Sequence, residues 1–362
     1  MKYDYLIIGA GLFGATLAHC LTKDYCKKVL VIDKNGYVGG MCHTHKQHGI
    51  TVHEFGAHIF RTDNIELWNF INNITPFKPF VNSPLALCEG KLYNLPFNMN
   101  TFYQLWGIQI PADAEDKIES ECVPYVDKEP RNLEEFALSK VGKTIYNKFI
   151  KEYTEKQWGK KCTELPPSIL GRLPLRFTFD NNYYSNKPYQ GIPYHGYTRL
   201  ISEMLKGSEV ILDIYDWHNF EDNAKKVIFT GSIDEYYDYK YGMLEYRSLR
   251  FETSCVSISN LYGNAVTNYT TKEYPYTRAI EHKHFLGEKS VDTIISYEYP
   301  EKFTGENERY YPIETDDNLA LYSKYANIEN DKTIFAGRLG SYKYTDMEQT
   351  ILNARKLACE LQ

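Results

Sequence analysis

The chain opens MKYDYLIIGAGLFGATLAHCLTKDYCKKVLVIDKNGYVGG (residues 1–40), and this stretch decides the fold. Tyr3 to Ile8 form a short apolar run, and Gly9-Ala10-Gly11-Leu12-Phe13-Gly14 match G-x-G-x-x-G. Ala15 to Thr22 continue at helical spacing, and Val29 to Ile32 form a second apolar run that ends in Asp33. The motif alone is a weak signal. A strand before it, a helix after it and an acid 22 residues past Gly11 supply the context of a dinucleotide fold. Gly9 allows the tight turn, Gly11 lets a pyrophosphate approach the backbone, and Gly14 lets the helix pack on its strand. The helix start, with Leu12 and Phe13, offers free N–H groups to phosphate. Asp33, followed by Lys34, suits a ribose hydroxyl and repels a 2′-phosphate, which disfavours NADP. At this point the cofactor is NAD or FAD.

Working outward, 362 residues predict two or three domains. A net charge of −6 gives no field for a polyanion, so nucleic acid is not expected, and an anionic ligand needs local arginines. The 32 tyrosines are a ready source of pocket walls that combine flat apolar faces with hydroxyl donors. Eight scattered cysteines without C-x-x-C read as reduced thiols. Residues 5–18 are apolar, but Asp4 and the motif glycines argue against a signal peptide, and no run is long enough to span a bilayer. These features predict a cytoplasmic protein with no membrane insertion.

Gly39-Gly40 follow the second strand, where the chain of an FAD site passes close to the dinucleotide. Met41 to His58 then holds five of the ten histidines, at no recognised zinc spacing, so no metal is expected. His58, in GAHIF with Ile59, is the one placed near a ligand. A helix is expected over Asn64–Ile71 and a hairpin over Leu85–Leu95. Helices capped by Asn98 or Asn100 and by Asn132 come next. The run 143–158 carries a helical stripe ending in Phe149, Tyr153 and Trp158, a candidate stacking wall. The Gly- and Pro-marked segment 164–186 reads as an active-site loop with Arg172 and Arg176. Residues 244–300 alternate like antiparallel strands, and a strand at Thr333–Ala336 is expected to rejoin the first sheet.

The fold class is therefore α/β: a discontinuous Rossmann-like dinucleotide-binding domain for NAD or FAD (1–78, 193–232 and 313–362), with a helical domain (98–175) that carries a mobile loop (about 164–176) and an antiparallel β-sheet substrate domain (79–97, 176–192 and 233–312). No nucleophile motif appears. Arginines and aromatics outside the Rossmann part suit a second nucleotide, with stacking on a base and clamping of a diphosphate.

The chain resembles bacterial UDP-galactopyranose mutases along its length. The resemblance is carried by Gly9–Gly14 with Gly39-Gly40, GAHIF at 56–60, NSPLA at 82–86, NLPFNMNTF at 94–102 and YTEKQWGK at 153–160. It continues in RFTFDNNYYS at 176–185, YQGIP at 189–193, GYTRLI at 196–201, LEYRSLRFET at 244–253, PYTRAIEHKHF at 275–285, YYPI at 310–313 and GRLGSYKYTDM at 337–347. It implies an FAD enzyme that interconverts the pyranose and furanose rings of UDP-galactose for surface polysaccharide. In such an enzyme the reduced flavin N5 is the nucleophile, which agrees with the missing protein nucleophile.

By motif, Arg172 and Arg278 resemble the family's diphosphate clamps, with His58 beside the reacting centre. Tyr153, Tyr183, Tyr311 and Tyr344 resemble its tyrosines around uridine and phosphates; Phe149 and Tyr153 flank the uracil and Trp158 travels with the loop. Asn82 and Asn268 fall at substrate-pocket positions, and Arg247 is either a further phosphate contact or a strand-face charge. Arg338, Asp346 and Met347, with Tyr344, look like C-terminal flavin contacts. A homodimer and an external flavin reductant are implied as well. Two positions depart from the family pattern: Met41 stands where Asn is usual, and Arg61 where His is usual. A longer charged donor at 61 either reaches a larger C2 substituent, which makes UDP-N-acetylgalactosamine a further substrate, or replaces His without changing the scope. The rival readings are an FAD oxidoreductase of the amine-oxidase type and a non-catalytic ligand-binding module.

Overall fold

The computed structural model describes residues 1–126, 129–170 and 175–362. Five parallel strands form its first sheet, in the order Glu209–Ile211, Val29–Ile32, Tyr3–Ile8, Ala224–Phe229, Thr333–Phe335. Strands covered on both faces carry continuous apolar runs, and all four residues of Val29–Ile32 are buried. Tyr3–Ile8 has Val29–Ile32 on one side and Ala224–Phe229 on the other, so the chain order reverses beside it. A crevice opens at the carboxyl ends of strands at such a switch point, and Gly9 stands at that end. Thr333–Phe335 pairs with Ala224–Phe229, with Ile334 opposite Ile228, which brings the C-terminal segment back into the first sheet. The helix Leu12–Lys23 covers one face and packs through Ala15, Ala18 and Leu21 in a core shared with Ile351, Ala354 and Ala358 of the helix Met347–Glu360.

A second sheet has seven strands, in the order Tyr311–Pro312, Tyr246–Val256, Thr293–Lys302, Arg278–Glu281, Val266–Tyr269, Leu85–Cys88, Lys91–Asn94. It is antiparallel except where Val266–Tyr269 runs parallel to Leu85–Cys88. That parallel pair forms because the hairpin arrives from a distant part of the chain. The hairpin turns at Glu89 and Gly90, both in the left-handed region (φ 51° and 74°) as a two-residue turn requires. Tyr189–Pro193 joins a separate three-stranded sheet between Phe60–Thr62 and Phe77–Pro79.

The helical part contains Met99–Trp106, Pro111–Cys122, Leu133–Ile145 and Lys151–Trp158. Asn98 closes a capping box with Thr101, and the Asn132 side chain accepts from the Glu135 amide. Residues 143–158 do not form one regular helix. Gly142 turns left-handed (φ 74°), and Tyr146–Ile150 widen into a π turn. One residue of extra turn rotates the succeeding helix by about 100°. Tyr146, Phe149 and Ile150 stay in the helical core, while Tyr153 faces the seven-stranded sheet and Trp158 bridges the two, packing against that core and approaching Tyr311. Among the described residues, no helix is long and apolar enough to cross a membrane.

Candidate active site

A cavity of about 580 Å³ runs from the glycine turn to the seven-stranded sheet. Gly9, Gly11, Leu12, Phe13, Gly14, Asp33, Lys34, Gly39, Gly40, Met41, His58, Ile59, Arg338, Tyr344, Asp346 and Met347 all line it. Two of these glycines have different reasons to be glycine. A Cβ on Gly14 would stand 2.0 Å from the Gly9 carbonyl oxygen, so the helix packs on the turn only without one. A Cβ on Gly11 would meet nothing nearer than Gly40 Cα at 3.9 Å. Its backbone is extended (φ −78°, ψ −174°), which any residue adopts. The protein itself therefore does not need glycine at 11, and the space it leaves belongs to the cavity. Gly11 is also the N-cap of Leu12–Lys23 and supplies no side-chain acceptor, so the helix's first N–H groups are left to an anion.

Asp33 is buried, and both its oxygens hold the surrounding backbone. The Ala10 amide donates to Oδ2 at 2.7 Å; the Asn35 amide and side chain donate to Oδ1, each at 2.9 Å. Carboxylate oxygens accept more than one hydrogen bond, so capacity for a ribose hydroxyl remains. The Gly39 amide donates to the Ala10 carbonyl at 3.0 Å, which brings the second glycine pair against the first turn.

The wall at this end also contains Trp217, His218 and Tyr236, which sequence reasoning missed. Trp217 stacks on His218 at 3.8 Å and on Tyr236 at 5.2 Å. Their only signal is an aromatic cluster soon after Glu209–Ile211, and that strand's place beside Val29–Ile32 is not written locally. Tyr184, Glu298 and Arg309 were missed as well.

At the other end Arg278 heads its strand. Its Nε donates to the Tyr153 hydroxyl at 3.1 Å, and Nη1 lies 3.4 Å from Glu298 Oε2. Glu298 is 1% exposed, and its other oxygen accepts from the Thr277 hydroxyl at 2.9 Å. Glu298, and after it Tyr153, hold the Arg278 guanidinium firmly in its charged form. Arg61 lays its guanidinium 4.0 Å over the Tyr184 ring and sets Nη2 3.5 Å from Asp346 Oδ2. Tyr311 and Tyr344 have ring centres 5.8 Å apart, and Trp158 approaches Tyr311 at 6.2 Å. Burial pushes the phenols of Tyr153, Tyr183, Tyr311 and Tyr344 upward, so they stay neutral donors. His58 Nδ1 lies 2.8 Å from the Gly56 carbonyl, and burial holds the imidazole down at about 4, so it is neutral near pH 7.

Among the described residues, the remaining expected positions do not line the cavity. Tyr153 reaches it through Arg278, and Trp158 through Tyr311. Asn82 accepts the Tyr183 amide on its carbonyl at 2.8 Å, and Tyr183 packs beside Tyr184. Asn268 sits opposite Arg278 in strand register, with a buried Oδ1 that has no partner among the described residues. Phe149 is in the helical core against Tyr93 (5.0 Å) and Phe97 (5.6 Å). Arg247 is buried and donates to the Gln157 carbonyl at 2.9 Å, which closes the carbonyl end of Lys151–Trp158. Arg172 lies outside the described residues. Of the histidine cluster, His48 comes together with Cys255 and Asp292 within 4.8 Å, a solvent-facing group apart from the cavity.

Fold and site together define a protein of the Rossmann-like dinucleotide-binding class, and residues 7–74 match the NAD(P)-binding Rossmann-like domain. Residues 148–344 match UDP-galactopyranose mutase. A "Probable UDP-galactopyranose mutase" of Klebsiella pneumoniae is 38% identical over 366 residues, covering 99% of this chain and 94% of the relative. A dTDP-fucopyranose mutase of Escherichia coli is 35% identical over 367 residues, covering 98% and 97%. The crystal structure of a reduced UDP-galactopyranose mutase shares the fold with a TM-score of 0.75 at 14% identity, covering 99% of this chain and 93% of that one. The chain belongs to the UDP-galactopyranose mutase family, a family of isomerases, which sets aside the amine-oxidase reading.

Proposed function

We propose that the chain interconverts UDP-galactopyranose and UDP-galactofuranose with FAD as its cofactor. The observation that carries this reading is the continuity of one cavity from the glycine turn to Arg278, Tyr311 and Tyr344. The residues present fit FAD: Gly11 leaves room for a close backbone approach, the helix start is free for phosphate, and Asp33 stands at the ribose position. Arg338 and the start of Met347–Glu360 would hold the far end of the cofactor. When bound and reduced, the flavin supplies a nucleophilic N5 for the anomeric carbon.

The protein's part is charge and position. Arg278, together with Arg172 by the family pattern, neutralises the diphosphate and stabilises it as a leaving and returning group. The Tyr153 hydroxyl and the Glu298 carboxylate fix the Arg278 fork. Neutral His58 adds no competing charge beside the cofactor. Tyr311 and Tyr344 offer hydroxyl donors to phosphate and sugar. Trp158, Phe149, Tyr183, Asn82, Asn268 and Arg247 are retained as substrate-side positions of the family pattern. Arg61 extends the scope to UDP-N-acetylgalactosamine, its guanidinium meeting the acetamido carbonyl. Three domains divided as the sequence suggests, a cytoplasmic homodimer, an external reductant and a role in surface polysaccharide accompany this reading.

The experiment is chromatography of UDP-sugars after addition of dithionite-reduced enzyme. UDP-galactofuranose should release UDP-galactopyranose with no reductant consumed in proportion. dTDP-fucopyranose belongs in the same assay, because a relative at 35% identity bears that name. Conversion of dTDP-fucose alone would overturn the assignment to UDP-galactose.

A further inference from the structure

Lys156 lies in YTEKQWGK, yet neither the cavity nor the proposed chemistry uses it. Its ammonium donates to four main-chain carbonyls: Tyr269 at 2.8 Å, Thr271 at 2.7 Å, Tyr274 at 3.0 Å and Tyr276 at 2.9 Å. All four belong to one connection, the turn between Val266–Tyr269 and Arg278–Glu281. An ammonium has three hydrogens, so one is shared, and only a narrow range of positions satisfies all four acceptors. Burial pulls Lys156 down to about 8, and the Glu152 carboxylate opposes that pull. The turn is itself stiffened by the rings of Tyr269, Tyr274 and Tyr276, packed at 4.6 to 5.6 Å.

Tyr153 stands three residues before Lys156, on the same helix face, and its hydroxyl accepts a hydrogen bond from Nε–H of Arg278, two residues past Tyr276. Helix and turn thus meet at two points, one of which is the arginine's own orientation. An apolar residue at 156 would join the two without burying a charge. The ammonium adds a fixed register.

We propose that Lys156 is a positioning residue, which sets the helix Lys151–Trp158 on the turn so that Arg278 is held by Tyr153 in the orientation that receives a diphosphate. The proposal rests on the reading of Arg278 as a diphosphate ligand. It is tested on holoenzyme by titration calorimetry with UDP. Arg278→Lys should weaken UDP; an unchanged affinity would refute that underlying reading and not the role of Lys156 alone. Lys156→Met and Tyr153→Phe should each raise the UDP Kd about tenfold, the size of one lost hydrogen bond to a charged group, with flavin content unchanged. The double variant should bind within about twofold of the weaker single variant, because both act through one arginine. An unchanged Kd in Lys156→Met, or fully additive losses, would overturn the proposal while leaving the role of Arg278 intact. Should Lys156→Met not fold, Lys156→Arg enters the same cycle, since a planar fork cannot meet four converging carbonyls.

Discussion

Arg61 and Asp346 face each other across the cavity wall, Nη2 to Oδ2 at 3.5 Å. The two come from different elements: Arg61 from the short strand Phe60–Thr62, Asp346 from the start of Met347–Glu360. Asp346 has its other oxygen on the Gln349 amide at 3.0 Å, so it does not swing away. With Tyr184 beneath the guanidinium, Arg61 is held flat and keeps unused N–H donors toward the cavity.

That arrangement predicts the substrate scope. Wild-type enzyme should convert both UDP-galactose and UDP-N-acetylgalactosamine. Arg61→His should lower kcat/KM for the acetamido sugar at least tenfold relative to UDP-galactose, in the range that a lost polar contact commands. Arg61→Lys should not restore it, because an ammonium can neither stack flat on Tyr184 nor fork. Chromatography of both sugars with each variant is the measurement. Wild-type conversion of UDP-galactose alone would refute it.

Gly11 gives a prediction that needs no activity. A Cβ there meets only Gly40 Cα, at 3.9 Å. Gly11→Ala apoprotein should therefore melt within a few degrees of wild-type apoprotein. Its flavin affinity should fall tenfold or more, since the methyl group fills the space kept for the pyrophosphate. Gly14→Ala should lose stability with or without flavin, because its Cβ lands 2.0 Å from the Gly9 oxygen. Equal flavin retention in Gly11→Ala and wild type would contradict the cradle reading.

The contrast between those two glycines marks what was legible beforehand. The turn, its strands and Asp33 are local in sequence, so spacing reveals them. Asn98 and Asn132 cap the helices their spacing predicts, and Thr333–Phe335 pairs where a returning strand was expected. Other features depend on who becomes whose neighbour. Trp217 joins the cavity only because Glu209–Ile211 pairs with Val29–Ile32. Arg247 closes a helix end that reaches it from 90 residues earlier in the chain. The apolar stripe through 145–150 continues across the π turn, so periodicity hides the rotation that separates Phe149 from Tyr153.

Glu298 should move stability and affinity in opposite directions. It is buried and paired with Arg278, so on the proposed reading it competes with the diphosphate for that guanidinium. Glu298→Gln keeps the side-chain volume and removes the opposing charge. Loss of the pair should destabilise the holoenzyme by about 1–2 kcal/mol, discounted from a fully buried pair because Arg278 is partly open to the cavity. UDP should bind about threefold tighter or more, because Arg278 no longer has a competing carboxylate. Urea unfolding and UDP calorimetry read the two effects, and weaker UDP binding would show that Glu298 orients Arg278 more than it competes.

A last prediction concerns acid. His53 and His282 are fully buried; the His53 amide donates to His282 Nδ1 at 3.2 Å, and His282 Nε2 lies 2.7 Å from the Ser296 hydroxyl. Burial holds His282 down at about 3 and His53 well below its ordinary value. The folded state keeps both neutral, whereas the unfolded chain takes up protons below about 6.5. Between those values the unfolded state binds more protons, so stability rises with pH there. The contribution of His282 is complete above about 6.5 and is lost as pH falls toward about 3, at about 1.4 kcal/mol per pH unit, and His53 acts in the same direction. Carboxylates also titrate in that range, so the readout is a difference between two proteins. His282→Gln removes one titrating group from the same place, and its urea-derived stability should fall less steeply than wild type between about pH 6 and pH 5, by about 1.4 kcal/mol per unit. Parallel slopes would mean that His282 takes up its proton without unfolding.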